Sequence, residues 1–267
     1  MLNPVIRSFC RAWFSVLILV CFTFCWTGCA LITVVPGGRR TKEERAIVLC
    51  HYMFRYLLLG PIPWIRVDLP DEEEVIRLLD REKVFLLLNH SSFLDSIAFV
   101  AFFPPRVLRR YRTLMKASLF KVPLLGFVSR VVGHFPVYFR STKDEVFTVE
   151  KGKQAEVMKK VEALVDSGGC LSIFPEACVN PNPAVLCPFR RGTFALAKKM
   201  SMTVVGLTSV GASASWPKND LVGGLPTRIS YAITEVVGAD HGLSAEALRE
   251  RSQEVMQAGV TMLLDCR

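Results

Sequence analysis

The chain opens on one long apolar block and then breaks into short apolar runs separated by charged, periodic stretches. Trp13 to Val35 is almost continuously apolar, and no charged residue stands between Ala12 and Gly38. At ~1.5 Å per residue such a block is long enough to cross a ~30 Å hydrocarbon core, so a membrane helix over about 12–35 is predicted. It stops at Pro36-Gly37-Gly38. Arg7 and Arg11 precede it and Arg39, Arg40, Lys42 and Arg45 follow; the heavier C-terminal flank favours a cytoplasmic-facing catalytic portion. A cleaved leader is the competing reading, because Trp26-Thr27-Gly28-Cys29 faintly resembles a lipobox, but the apolar run continues past Cys29. A second apolar stretch over about 46–59 ends at Gly60-Pro61-Ile62-Pro63 and is short and polar for a span. It is expected either to lie in the interface, with Tyr52, Tyr56 and Trp64 at headgroup level and Arg55 snorkelling, or to fold back on the first helix as a hairpin. Residues 1–64 therefore read as a membrane anchor and 65–267 as the globular unit.

From there the pattern alternates. Asp71 to Arg81 predicts a charged surface helix, and Val84 to Leu88, five apolar residues in a row, predicts a strand buried on both faces. Ser91 or Ser92 is the expected N-cap of a helix that runs to Phe103 and stops at Pro104-Pro105. Arg106 to Arg112 reads as a basic loop, and Gly133 to Arg140 as a turn and short strand. Glu150 to Val165 carries Val157, Val161, Leu164 and Val165 on one helical face and ends at Gly168-Gly169. Cys170 to Phe174 is a second buried strand, Asn180 to Pro188 a proline-rich loop, and Gly192 to Met200 a helix. Strands follow over Thr203 to Val210 and Ile229 to Val237, then a closing helix over Ala245 to Leu264. Strands alternating with helices define an α/β fold: a mixed, largely parallel sheet flanked by helices.

Composition sharpens this picture. Of 267 residues, 51% are hydrophobic and the mean hydropathy is +0.34, high for a soluble protein, so membrane association is expected. A net charge of +9 calls for an anionic partner, either anionic lipid or a phosphorylated substrate. No RNP-like aromatic strand or zinc-finger spacing is present, so nucleic acid is not expected. The nine cysteines are scattered, odd in number and without a CxxC pair, which reads as reduced thiols rather than metal ligands. Cys21, Cys25 and Cys29 recur on one helical face, which suits a packing stripe.

The chemistry concentrates where the first buried strand ends, in Asn89-His90-Ser91-Ser92-Phe93-Leu94-Asp95. His90 emerges at a strand end, and Asp95, in the first turns of the next helix, faces back and orients the imidazole. That is two thirds of a Ser-His-Asp arrangement without an enzyme nucleophile, so the base would activate a hydroxyl of the substrate. The other histidines lack this context: five residues after His51, His134 and His241 stand Tyr56, Phe139 and Glu246. Glycosidase-like carboxylate pairs, a P-loop and GxGxxG are absent, and Gly211-Ala212-Ser213-Ala214-Ser215 lacks the second glycine of a nucleophile elbow.

Over roughly Val84 to Val210 the chain resembles the 1-acyl-sn-glycerol-3-phosphate acyltransferase family, the PlsC-like glycerolipid acyltransferases. Four ordered blocks carry the resemblance. Asn89 to Asp95 is similar to the family's NHxSxxD; Gly133 to Arg140, after Met115-Lys116 and Lys121-Val122-Pro123-Leu124-Leu125-Gly126, resembles its glycine-to-arginine block. Phe174-Pro175-Glu176 with Pro188-Phe189-Arg190-Arg191-Gly192 is the third, and Val204-Val205-Gly206-Leu207 the fourth, with Gly206 where the family usually has Pro.

The resemblance implies His90 as general base, Asp95 as the group that holds it, Arg140 on the acceptor phosphate and Glu176 on the acceptor's glycerol part. Asn89, Lys116, Phe174, Pro175 and Arg190 complete the implied substrate site, with Lys121 and Arg191 as further cations for phosphates. It implies a 1-acylglycerol-3-phosphate O-acyltransferase of phospholipid biosynthesis that uses acyl-CoA or another acyl thioester as co-substrate, with no cofactor and no metal. Its partners would be a lysophospholipid acceptor and an anionic bilayer, at the endoplasmic reticulum if eukaryotic and the inner membrane if bacterial. One departure bears on the acceptor: the family commonly continues Phe-Pro-Glu with Gly-Thr-Arg, and here Ala177-Cys178-Val179 follows. The arginine is missing, and alanine adds a Cβ where the backbone needs freedom. Another lysophospholipid or glycerol 3-phosphate is the alternative acceptor, a thioester or lysolipid hydrolase a rival reaction, and a lipid-binding scaffold without turnover the non-enzyme reading.

Overall fold

The structure is a computed structural model that describes residues 2–140, 148–239 and 241–267. Two N-terminal helices come first, α1 (Pro4–Val34) and α2 (Arg39–Tyr52), the latter continuing as π-helical turns over Met53–Leu59. The chain proceeds through β1 (Ile65–Asp68), α3 (Glu72–Leu79), β2 (Val84–Leu88), α4 (Leu94–Phe102), α5 (Pro105–Leu108), β3 (Tyr111–Lys116), a 3-10 turn over Ala117–Lys121 and α6 (Leu125–Val132). Then come β4 (Phe135–Val137), β5 (Phe139–Arg140), β6 (Thr148–Val149), α7 (Lys151–Asp166) and β7 (Cys170–Ile173). The remainder is α8 (Gly192–Lys199), β8 (Thr203–Val210), α9 (Ala212–Ser215), β9 (Thr227–Val237) and α10 (Ala245–Asp265).

Seven strands form one sheet in the order β1-β9-β8-β2-β7-β3-β4. All its pairings are parallel except β8 with β9, so five neighbouring strands end on one side of the molecule. The sheet is mixed and largely parallel, as the alternation of elements predicts; β5 and β6 form a separate antiparallel pair.

β2 is buried along its whole length because helices cover both faces of the sheet. Val84, Leu86 and Leu88 join one core with α1, α2, the π turns and α4, whereas Phe85 and Leu87 join a second with Val157 and Val161 of α7, Phe194 of α8 and Met256 and Val260 of α10. The period of two along the strand thus splits a continuous apolar run between two layers. Gly206 of β8 lies under α10: a Cβ there would stand 3.0 Å from Cγ of Met256.

The N-terminal helices are part of this packing. α1 buries a stripe of Cys10, Phe14, Leu17, Cys21, Cys25 and Cys29 and exposes Phe9, Trp13, Val16, Leu19, Phe24 and Leu31 on the opposite side. It is long and apolar enough to cross a membrane. Its partner α2 begins at Arg39, earlier than the apolar pattern indicates, because its basic first turns are polar yet helical, with Arg39–Glu43 and Arg40–Glu44 pairs at i,i+4. α2 folds back on α1, the hairpin alternative, and the two approach so closely that a Cβ on Gly28 would stand 2.4 Å from Leu49. Trp13 donates to the Pro61 carbonyl, in the connection before β1, and Arg11 pairs with Asp220, tying α1 to a loop of the α/β unit.

Two strands differ from the sequence reading. The basic loop over Arg106 to Arg112 is in fact helix α5 followed by the start of β3, and β1 opens the α/β unit at Ile65. Arg112 lies within β3 and is 2% exposed, held by Glu43 of α2 at 3.3 Å and by the carbonyls of Arg109 and Tyr111. A buried guanidinium hides the strand from any apolar-periodicity argument.

Candidate active site

His90 stands two residues beyond the end of β2, between the ends of β7 and β8. Its Nδ1 lies 3.2 Å from Oδ2 of Asp95. Asp95 is 3% exposed, and the same oxygen accepts the backbone N–H groups of Ser91 and Ser92, each at 2.8 Å. Because a carboxylate can only accept, Nδ1 carries the proton and Nε2 keeps the free lone pair of a base. The helix after this loop begins at Leu94. Ser92 Oγ accepts from the Leu94 amide at 3.1 Å and donates to the Trp216 carbonyl at 2.8 Å, so Ser92 supplies the start signal although its residue stands before the N-cap position.

The backbone of His90 is fixed as firmly as its ring. Its N–H donates to Oε1 of Glu176 at 2.8 Å, and its carbonyl accepts from the Asn180 amide at 2.6 Å. Glu176 is 1% exposed, and its other oxygen accepts from Asn180 Nδ2 and the Cys187 amide, both at 2.8 Å. Burial raises the Glu176 pKa, while these donors pull it down. Its carboxylate thus binds the loop after β7 to the His90 backbone.

The other sequence-singled residues converge on this edge. Phe174 lays its ring on the imidazole, centroids 4.2 Å apart, and the Pro175 carbonyl accepts from the Arg190 amide at 2.9 Å. Asn89, 2% exposed, exchanges two hydrogen bonds with the backbone of Ser209, clamping the end of β2 to the end of β8. Lys116 ends β3 and is exposed. The backbone of Arg140 pairs with Thr148, and its side chain lies outside the described residues.

The departure after Glu176 has a structural counterpart. Ala177 adopts φ +58°, the left-handed region where a Cβ is disfavoured, and its amide donates to the Phe174 carbonyl at 3.0 Å to close the turn. Val179, where the family commonly has arginine, is 8% exposed and apolar. No sequence signal singles out Asn180, which stands in a proline-rich loop and whose link to the His90 carbonyl spans residues that only the fold brings together.

Among the described residues, no hydroxyl or thiol is hydrogen-bonded to the imidazole, so the pair serves as a held base open on Nε2. An oriented, mostly buried but accessible imidazole at the carboxyl edge of a parallel sheet suits proton abstraction from a bound alcohol. The Acyltransferase family model matches residues 66–210, just over half of the chain, and the chain belongs to that family. Curated proteins similar to the chain include two chloroplastic 1-acyl-sn-glycerol-3-phosphate acyltransferases. One from Brassica napus is 26% identical over 129 residues, 48% of this chain and 33% of that protein; one from Arabidopsis thaliana is 23% identical, covering 48% and 32%. The chain thus spans about a third of the length of the curated relatives it matches. The crystal structure of the 1-acyl-sn-glycerophosphate acyltransferase PlsC from Thermotoga maritima superposes with a TM-score of 0.76 over 98% of both chains, at 18% identity, and shares the fold.

Proposed function

We propose that this protein transfers a fatty acyl group from acyl-CoA to the free hydroxyl of lysophosphatidic acid, giving phosphatidic acid. The observation that carries the reading is the His90–Asp95 pair, fixed on both ring and backbone and open on Nε2, in a chain of the acyltransferase family. Nε2 takes the hydroxyl proton as the oxygen attacks the thioester carbonyl, and Asp95 stabilises the imidazolium that forms. The C–S bond then breaks, and the departing thiolate takes the proton back, leaving the base unchanged. Glu176 and Asn180 act through the His90 backbone, and Phe174 holds the ring plane. Lys116, which ends β3 two strands from β2, and Arg140 are the proposed contacts for the acceptor phosphate, because paired cations match a dianionic headgroup. No metal or cofactor has a step in this chemistry. The exposed apolar face of α1 is the proposed bilayer contact, with the basic surface towards an anionic, cytoplasm-facing leaflet.

One observation favours a second acceptor. Val179 is apolar where the resemblance implies a guanidinium, which weakens selection for a phosphate monoester and favours another lysophospholipid, whose phosphate is a diester, over both lysophosphatidate and the alternative glycerol 3-phosphate. Purified protein in detergent, offered labelled acyl-CoA with each of these acceptors, separates the readings. Highest kcat/KM with lysophosphatidate supports the first; preference for another acceptor replaces it with the second; labelled free acid alone would point to hydrolysis.

A further inference from the structure

His90 is held on ring and backbone, but its partner is held by one oxygen. Asp95 Oδ2 faces Nδ1 of His90 and accepts two amides, whereas Oδ1 is buried and has no hydrogen-bond partner among the described residues. The Tyr231 hydroxyl and Ser215 Oγ share that condition, in residues 7% and 0% exposed. A bare buried polar group costs about as much as a lost hydrogen bond, so such atoms in one place call for a common partner.

The fold brings these atoms together from three elements. Tyr231 of β9 is level with Ser209 of β8, whose backbone exchanges two hydrogen bonds with Asn89, the residue before His90. Tyr231 belongs to the core that contains Leu94, Ile97 and Ala98 of α4, the helix that carries Asp95, and its ring meets that of Phe103 edge-on at 5.5 Å. α9 packs against both α4 and β9. Ser92, three residues before Asp95, donates its hydroxyl to the carbonyl of Trp216, the residue after Ser215. Burial first, and then the Asp95 charge, pushes the Tyr231 phenol well above the ordinary tyrosine range, so it stands as a neutral donor within the field of that carboxylate.

We infer that one internal water joins Asp95 Oδ1 to the Tyr231 hydroxyl and Ser215 Oγ, and that Tyr231 is thereby a positioning residue for the His90–Asp95 pair. The inference rests on acyl transfer at His90 and extends it behind the carboxylate. A buried water typically makes about three hydrogen bonds, which matches the three unpartnered atoms. It accepts from the Tyr231 hydroxyl and donates to Oδ1; Ser215 takes either role. With Oδ1 held, the carboxylate keeps its plane, and Oδ2 stays aligned on Nδ1 as the imidazolium forms. Without that hold, the bare oxygen draws the carboxylate towards other donors and loosens the bond to His90.

The test is a double-mutant cycle of Tyr231→Phe and Asp95→Asn in the full chain in detergent, read by kinetics and by thermal unfolding. Phenylalanine keeps the ring against Phe103 and removes the donor alone. Tyr231→Phe should lower kcat about ten-fold, the scale of one lost hydrogen bond to a charged group, with KM for acyl-CoA and for lysophosphatidate unchanged. In the Asp95→Asn background the charge is gone, and the same change should cost less than about two-fold. Ser215→Ala probes the water from its other side and should lower kcat about three-fold. In unfolding, Tyr231→Phe should lower Tm by about 2–3 °C in the wild type and by less in Asp95→Asn. Equal kcat losses in both backgrounds, a changed KM with kcat intact, or a Ser215→Ala variant indistinguishable from wild type would each overturn the inference. A folded wild type without transfer to any acceptor would overturn the acyl-transfer reading alone. The unfolding cycle then decides the link: coupled Tm shifts support it and additive ones overturn it.

Discussion

Asp95→Asn isolates the charge of the carboxylate from its shape. In the wild type the Asp95 oxygen stands 3.2 Å from Nδ1 of His90, and the two side chains are 3% and 17% exposed. A unit charge at that distance stabilises an imidazolium by about 5 kcal/mol at an effective dielectric near 20. The asparagine carbonyl still accepts from Nδ1 and from the Ser91 and Ser92 amides, so part of this is retained. Its new NH2 group falls where Asp95 Oδ1 has no hydrogen-bond partner among the described residues, so no existing bond is displaced. A loss of about 4 kcal/mol in the transition state corresponds to roughly a thousand-fold in kcat. Initial rates with labelled acyl-CoA at saturating acceptor measure it, alongside thermal unfolding, which should stay within about 1 kcal/mol of wild type. A folded variant whose kcat falls less than about ten-fold would refute the assignment of Asp95 as the imidazolium's partner.

Other substitutions probe the scaffold. Ala177→Gly relieves the left-handed strain and should raise stability by about 0.5–1 kcal/mol in urea unfolding, net of glycine's larger chain entropy; a lower midpoint would argue against strain. Arg112→Met leaves Glu43 without its buried partner and should cost about 3 kcal/mol, read in the same assay; an unchanged midpoint would show the pair to be incidental. His134 accepts from the Thr113 amide, and desolvation with the Arg112 charge pushes its imidazole down to about 3. Its depressed folded-state pKa favours the native state above the ordinary histidine range and loses that advantage as pH falls towards 3. At pH 5 the loss is about 1 kcal/mol after halving for its partial exposure, and His134→Gln should flatten the stability profile between pH 7 and 5. An equally steep profile in that variant would assign the pH dependence elsewhere.

The legible parts of this chain are those whose environment is uniform. β2 is visible because helices bury both its faces, and the His90–Asp95 spacing is visible because a strand end and a helix start lie five residues apart. What the sequence hides is polar groups whose partners are distant in the chain. β3 reads as loop because Arg112 is charged, and its partner Glu43 lies 69 residues upstream. Glu176 reads as an acceptor contact, yet its buried oxygens meet the His90 amide 86 residues away and the neighbouring Asn180 and Cys187. The strain at Ala177 is the converse case: replacement of a family glycine signals it before any coordinate does.

The most direct test of the central claim is acyl transfer by wild type and by His90→Ala, with labelled acyl-CoA and lysophosphatidate as substrates and both phosphatidate and free acid counted. Phosphatidate from the wild type and a loss of roughly a thousand-fold in a folded variant is the expected result. Phosphatidate formed at comparable rates by both proteins, or no lipid product from a folded wild type, would contradict it.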